Sequence, residues 1–124
     1  MPKVVVSDAL ASQGLEILER APGFTVLNVP GISPGELAGV LADADGLVVR
    51  SGTKVTADVI AAAPNLKVIG RAGIGVDNVD VAAATQRGIV VVNTPEGNNV
   101  TTAEHAIALL VSLARHIPQA TASM

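Results

Sequence analysis

The chain has no cysteine, no tryptophan and no tyrosine, and Phe24 is its only aromatic residue. The lack of cysteine excludes disulfides and thiolate metal sites. The lack of rings leaves little to stack on a flavin or on unpaired bases. Positive charge is also scarce, with 8 Lys+Arg against 11 Asp+Glu and a formal net charge of −3. An acidic chain without a basic stripe is a poor fit to nucleic acid. Although 49% of the 124 residues are hydrophobic, no apolar run is long enough to cross a bilayer. The start, Met1-Pro2-Lys3 and then valines, lacks the length and cleavage site of a secretory signal. Together these absences predict a cytoplasmic protein with its own core, no nucleic-acid or membrane partner and no metal site.

What is present is a repeating alternation. Short Val/Ile/Leu runs at 4–7, 24–29, 46–50, 66–70 and 89–93 alternate with Ala/Leu-rich stretches at 11–21, 34–42, 56–62, 79–86 and 101–116. Ser33 and Glu36 have the spacing of a capping box at the start of the second helix. Leu15, Ile17, Leu18 and Ala21 are expected to form the inward face of the first. The strand runs are continuous, not alternating, which predicts burial on both faces of a parallel sheet. The expected fold class is therefore α/β: a flavodoxin-like, doubly wound, five-stranded parallel sheet in the order 2-1-3-4-5. The last helix, 101–116, is apolar nearly all round and wants cover on more than one side. Self-association through it is the expectation, with packing back onto the sheet as the alternative.

Leu66–Asn78, LKVIGRAGIGVDN, runs from a strand into a glycine-rich loop. A dinucleotide fingerprint needs G-x-G-x-x-G. Gly73-Ile74-Gly75-Val76-Asp77-Asn78 ends in Asn where the third glycine belongs. The glycines can simply serve a tight loop. They can also let backbone N–H groups approach an anion beside Arg71. In an open parallel sheet, ligands bind beyond the carboxyl ends of strands. Arg50, Ser51, Arg71, Gly73 and Asn98 all fall there. Arginine grips carboxylate or phosphate through paired donors, so the residues point to a small-anion pocket. The alternative is that Arg50 and Arg71 pair with Asp8, Asp77 or Glu96.

VRSGTKVTADVI (49–60), GRAGIGVDNVD (70–80), NTPEGNN (93–99) and AEHAIALLVSLARHIPQATASM (103–124) carry a likeness along the whole chain. In them the sequence resembles the D-isomer-specific 2-hydroxyacid dehydrogenases, and among these the oxidoreductases that oxidise 3-phosphoglycerate to 3-phosphohydroxypyruvate in serine synthesis. The resemblance implies a substrate-binding lobe over residues 1–100, with an interdomain helix and truncated linker over 101–124. Arg50, Ser51, Arg71, Gly73 and Asn98 would then face the phosphate and carboxylate of 3-phosphoglycerate. Ile74, where relatives often carry Thr, would contact NAD only through its backbone or by packing. The family's catalytic His, its partner carboxylate, a further Arg and the Rossmann NAD domain would lie beyond residue 124. The lobe is thus expected to be inactive alone and to bind NAD weakly at best. The alternatives are a lobe of a related dehydrogenase, such as one acting on glyoxylate, and a free-standing flavodoxin-like module for small-anion binding or assembly.

The two histidines add little. His105 has Glu104 beside it, but successive helical residues point apart and form no dyad. Glu104 is expected to close a capping box with Thr101. His116, before Pro118, is expected at the surface in the last helical turn.

Overall fold

The computed structural model describes residues 1–97 and 99–123. The chain divides into two compact units, Met1–Thr94 and Pro95–Met124. The first contains β1 (Lys3–Val6), α1 (Ser12–Arg20), β2 (Thr25–Asn28), α2 (Pro34–Leu41), β3 (Gly46–Val49), α3 (Ala57–Ala61), β4 (Val68–Arg71), α4 (Val81–Gln86) and β5 (Val90–Asn93). All strand pairs are parallel, in the expected order β2-β1-β3-β4-β5.

Register and alternation define the two faces of the sheet. Leu27, Val5, Leu47, Ile69 and Val91 lie side by side across the five strands. This row meets Leu37 and Leu41 of α2, Val59 and Ile60 of α3 and Ala84 of α4 in the main core. Right-handed crossovers put α2, α3 and α4, which step the same way across the sheet, on one face and α1 on the other. The capping box at the start of α2 is present, with Ser33 accepting from the Glu36 N–H and the Glu36 side chain accepting in return. Thr56 and Asp80 cap α3 and α4 in one direction only, accepting the Val59 and Ala83 N–H groups.

Burial on both faces holds at the centre of the sheet and fails at its β5 edge. In the row Val4, Gly46, Val68 and Val90, Gly46 is buried and Val90 is 59% exposed. Because α1 stands against β2, nothing in this unit covers β4 and β5 on that side. Within α1 no residue is buried. Leu15 and Leu18 are half-buried, but Ile17 is exposed. Two helical steps carry Ile17 about 200° round from Leu15, off the shared face.

The second unit consists of α5 (Asn99–Ala114) and α6 (Ile117–Ser123). The expected single helix to His116 breaks instead, because His116 adopts φ 52°, a left-handed conformation that ends helices. The segment expected to be linker forms α6. As α5 begins at Asn99, Thr101 lies inside it and does not cap it. Ile107, Leu109, Leu110, Val111 and Leu113 are all exposed. No described helix is long and apolar enough to cross a membrane.

Candidate functional site

The carboxyl ends of β1, β3, β4 and β5 bring four loops together. The loop after β3 starts with the turn Arg50-Ser51-Gly52-Thr53, and that turn is clamped by two side chains. From the β1 side, Asp8 Oδ2 accepts the Arg50 N–H at 2.7 Å and the Thr53 N–H at 2.9 Å, and Oδ1 accepts the Thr53 hydroxyl at 2.8 Å. The Thr53 hydroxyl is also 2.9 Å from that of the fully buried Ser7. A Cβ at Gly52 would stand 2.8 Å from Asp8 Oδ1, so the carboxylate needs the bare backbone there. Burial pushes the Asp8 carboxyl up, but the Thr53 N–H and hydroxyl and the Arg50 and Gly52 N–H groups outweigh it. The carboxyl is held below the ordinary aspartate value, because each of these donors favours the charged form.

From the β4 side, Asn78 takes the carbonyls of the same turn. Its Nδ2 donates to the Thr53 carbonyl at 2.7 Å and to the Arg50 carbonyl. The backbone adds a parallel bridge between Val55 and Val79, with Val55 N–H donating to the Asn78 carbonyl at 2.8 Å. The glycine loop is pinned on its other flank too. The Thr94 N–H donates to the Gly73 carbonyl at 2.9 Å, and Asn93 Nδ2 to the Ile74 carbonyl at 2.7 Å.

Arg71 is the last residue of β4, not a loop residue as the sequence suggested. It is in register with Val49 and Asn93, so alternation puts it on the same face as Ile69. Its Nε donates to Asn78 Oδ1 at 3.2 Å. Its guanidinium crosses Gly73: a Cβ there would lie 1.7 Å from Nη1. Gly73 therefore serves Arg71 by having no side chain. Its own N–H is spent on the Arg71 carbonyl at 3.0 Å, which differs from the expected anion-facing N–H. Arg50 is exposed, and its Nη1 donates to the Ala9 carbonyl at 3.1 Å.

The expected alternative, in which each arginine is matched by an acid, does not occur among the described residues. The ion pairs there are Lys3–Asp43, Arg20–Glu16 and Lys67–Asp45. Asp8 meets the Arg50 backbone, not its guanidinium. Two hollows flank these groups. Ser51 lines one of about 370 Å³ with Lys54, Thr56, Asp77 and Asn78. Arg71 lines a separate one of about 180 Å³ with Val92, Asn93 and Thr94. The structure thus gathers Arg50, Ser51, Arg71 and Gly73 at one end of the sheet and joins the Arg50 turn to Arg71 through Asn78. Asn98 lies outside the described residues. Ile74 is 40% exposed on the glycine loop. Among the described residues no His/Cys/Asp/Glu group could hold a metal.

Sequence reasoning missed Asn78 and Thr53 and gave Asp8 an ionic role. An Asx residue just past a strand or a glycine turn is a signal for side-chain-to-backbone bonding, and both Asp8 and Asn78 carry it.

The architecture defines the class, a flavodoxin-like α/β lobe; folds of this kind bind ligands beyond the carboxyl ends of a parallel sheet. Residues 4–123 match the D-isomer specific 2-hydroxyacid dehydrogenase, catalytic domain, and the chain belongs to that family of oxidoreductases. It is 49% identical over 124 residues to a D-3-phosphoglycerate dehydrogenase of Synechocystis sp., covering 100% of this chain and 22% of that protein. With one from Methanocaldococcus jannaschii the identity is 52%, covering 100% and 23%. A solved NAD+-bound 3-phosphoglycerate dehydrogenase of Entamoeba histolytica superposes with a TM-score of 0.76 at 36% identity, covering 90% of this chain and 38% of that one. The chain therefore spans less than a quarter of the length of these two sequence relatives.

Proposed function

We propose that the chain is the substrate-binding lobe of an NAD-dependent D-3-phosphoglycerate dehydrogenase. Arg50, Ser51 and Arg71 would hold the phosphate and carboxylate of 3-phosphoglycerate, with Gly73 giving the Arg71 guanidinium its room and Asn98 adding a neutral hydrogen bond. The observation that carries this is charge left unmatched: among the described residues neither arginine meets a carboxylate, although Asp8 and Asp77 are close in sequence or space. A guanidinium without an acid partner is suited to an external anion.

The residues of this chain do not fit a dinucleotide site of their own. The glycine loop ends in Asn78, and the N-terminus of the helix that follows is already capped by the Asp80 carboxylate, which accepts the Ala83 N–H at 2.9 Å. A pyrophosphate would need that position free. NAD is therefore assigned to residues other than these, with Ile74 offering it a packing contact, and the lobe alone is inactive. The exposed apolar residues of α5 favour self-association, which an increase in sedimentation coefficient with concentration would register and a constant monomer value would refute.

The test is a titration of the 124-residue chain with 3-phosphoglycerate, followed by amide NMR. Shifts confined to the segments after β3, β4 and β5, lost in Arg71→Ala, are expected. No response at millimolar ligand, or an unchanged response in Arg71→Ala, refutes the assignment. Covalent joining of the chain to the remaining length of the Synechocystis relative is expected to give dehydrogenase activity.

A further inference from the structure

Asn78 is not among the groups assigned to the substrate above, yet it bonds both to Arg71 and to the turn that carries Arg50. We propose that Asn78 is the positioning residue of the anion grip, aiming Arg71 and locking the Arg50–Thr53 turn to it without neutralising the guanidinium. This rests on the reading of the site given above and adds to it the group that sets its geometry and preserves its charge.

Three bonds make the case. Oδ1 accepts from Arg71 Nε, and Nδ2 donates to both the Arg50 and the Thr53 carbonyls. Only a carboxamide offers one acceptor and two donors from a single short planar group. The opposite orientation of the amide would set its oxygen against two carbonyl oxygens, so the contacts fix which way it faces. Because Nε is the atom engaged, Arg71 is held by one edge. Among the described residues, Nη1 and Nη2 have no hydrogen-bond partner, which leaves their paired donors for a ligand. Asn78 is itself immobilised, since its carbonyl accepts from Val55 across the bridge to Val79.

A carboxylate at this position would fail in two ways. It would face two carbonyls with no hydrogen to give, and it would form an ion pair with Arg71 that cancels the charge the anion needs. Acids stand on either side in the sequence, at Asp77 and Asp80, yet the position that reaches Arg71 is the amide. Asp8 performs the matching task on the other flank, taking the N–H groups of the turn. The acid is thus used where backbone donors need an acceptor, and the amide where a cation must stay a cation.

The experiment uses Asn78→Asp, nearly identical in size, in the 124-residue chain, with 3-phosphoglycerate as the probe and the arginine Nε–H resonances as a second readout. In the unsubstituted chain the Arg71 Nε–H is expected to exchange slowly with water. In Asn78→Asp it should stay slow, because an acceptor remains, while affinity for 3-phosphoglycerate falls about tenfold or more. A purely structural role would not separate these two signals. A folded Asn78→Asp that binds within about twofold of the unsubstituted chain overturns the inference and leaves the site assignment standing. Unchanged binding in Arg71→Ala, or no binding at all, overturns the site assignment and this inference with it. Should Asn78→Asp fail to fold, the Arg71 Nε–H of the unsubstituted chain decides, with fast exchange overturning the inference and slow exchange supporting it.

Discussion

The two ends of the parallel sheet treat their cations differently. At the amino ends, Lys3 meets Asp43 at 2.6 Å and Lys67 meets Asp45 at 3.2 Å. Asp45 also accepts the Lys3 N–H at 2.9 Å, so the starts of β1, β3 and β4 are tied by matched charges. At the carboxyl ends, Arg71 is held by an amide and Arg50 by a backbone carbonyl. One acid there, Asp8, is given to backbone N–H groups. One end satisfies its charges internally. The other orients its cations through neutral acceptors and leaves them without an acid partner among the described residues, as the proposed anion site would require.

Charge reversal at each end tests that contrast most sharply. Arg71→Glu is expected to reduce 3-phosphoglycerate binding about a hundredfold or more, while Lys67→Glu changes it by less than about twofold. Equal losses in an NMR titration would erase the distinction between the ends.

Asp8→Ala removes the acceptor of two backbone N–H groups and a hydroxyl, and should destabilise the fold by about 2 kcal/mol in urea unfolding. The pH dependence follows from the depressed carboxyl. Its stabilisation is fully present above the unfolded value of 3.8 and is lost as pH falls through the lower folded value. The gap between wild type and Asp8→Ala should therefore be constant near neutrality and close on acidification below that value. A gap that widens in acid would contradict the assignment.

Gly73→Ala is milder. The added methyl collides with the Arg71 guanidinium, which is expected to swing away and weaken binding about fivefold to tenfold with little change in stability. A variant that binds as wild type would mean that the guanidinium need not cross residue 73.

The smallest effect belongs to the Lys3–Asp43 pair at the amino end, where Lys3 is half-buried and Asp43 exposed. Lys3→Met should shift the melting temperature by no more than about 2 °C and leave binding unaltered, since surface ion pairs are weak. A loss of binding there would show that the two ends are coupled.

Much of the fold was legible because its causes are local. Apolar runs at Val4–Val6, Leu47–Val49 and Val90–Val92 mark strands, and Ser33 with Glu36 marks a helix start. The same signals misled where neighbours decide. The apolar runs of β4 and β5 look alike in sequence, yet Ile69 is fully buried and Val90 is 59% exposed. Ile69 faces the core built with α2, α3 and α4, whereas Val90 faces the other side, where α1 stands against β2 and leaves it without cover. His116 reads as the end of one helix, but its left-handed backbone starts another.

The sequence by itself determined an α/β alternation, the strand order and the set of residues at the carboxyl ends of the strands, because these depend on periodicity, capping and crossover handedness. Only the tertiary structure decided what those residues do to one another. That Arg71 belongs to β4, that Gly73 lies beneath its guanidinium, and that Asp8 and Asn78 close on one turn from opposite flanks all depend on contacts between loops up to 45 positions apart. No local pattern encodes such contacts. They arise when the sheet brings β1, β3 and β4 into register and their loops must satisfy each other's polar groups.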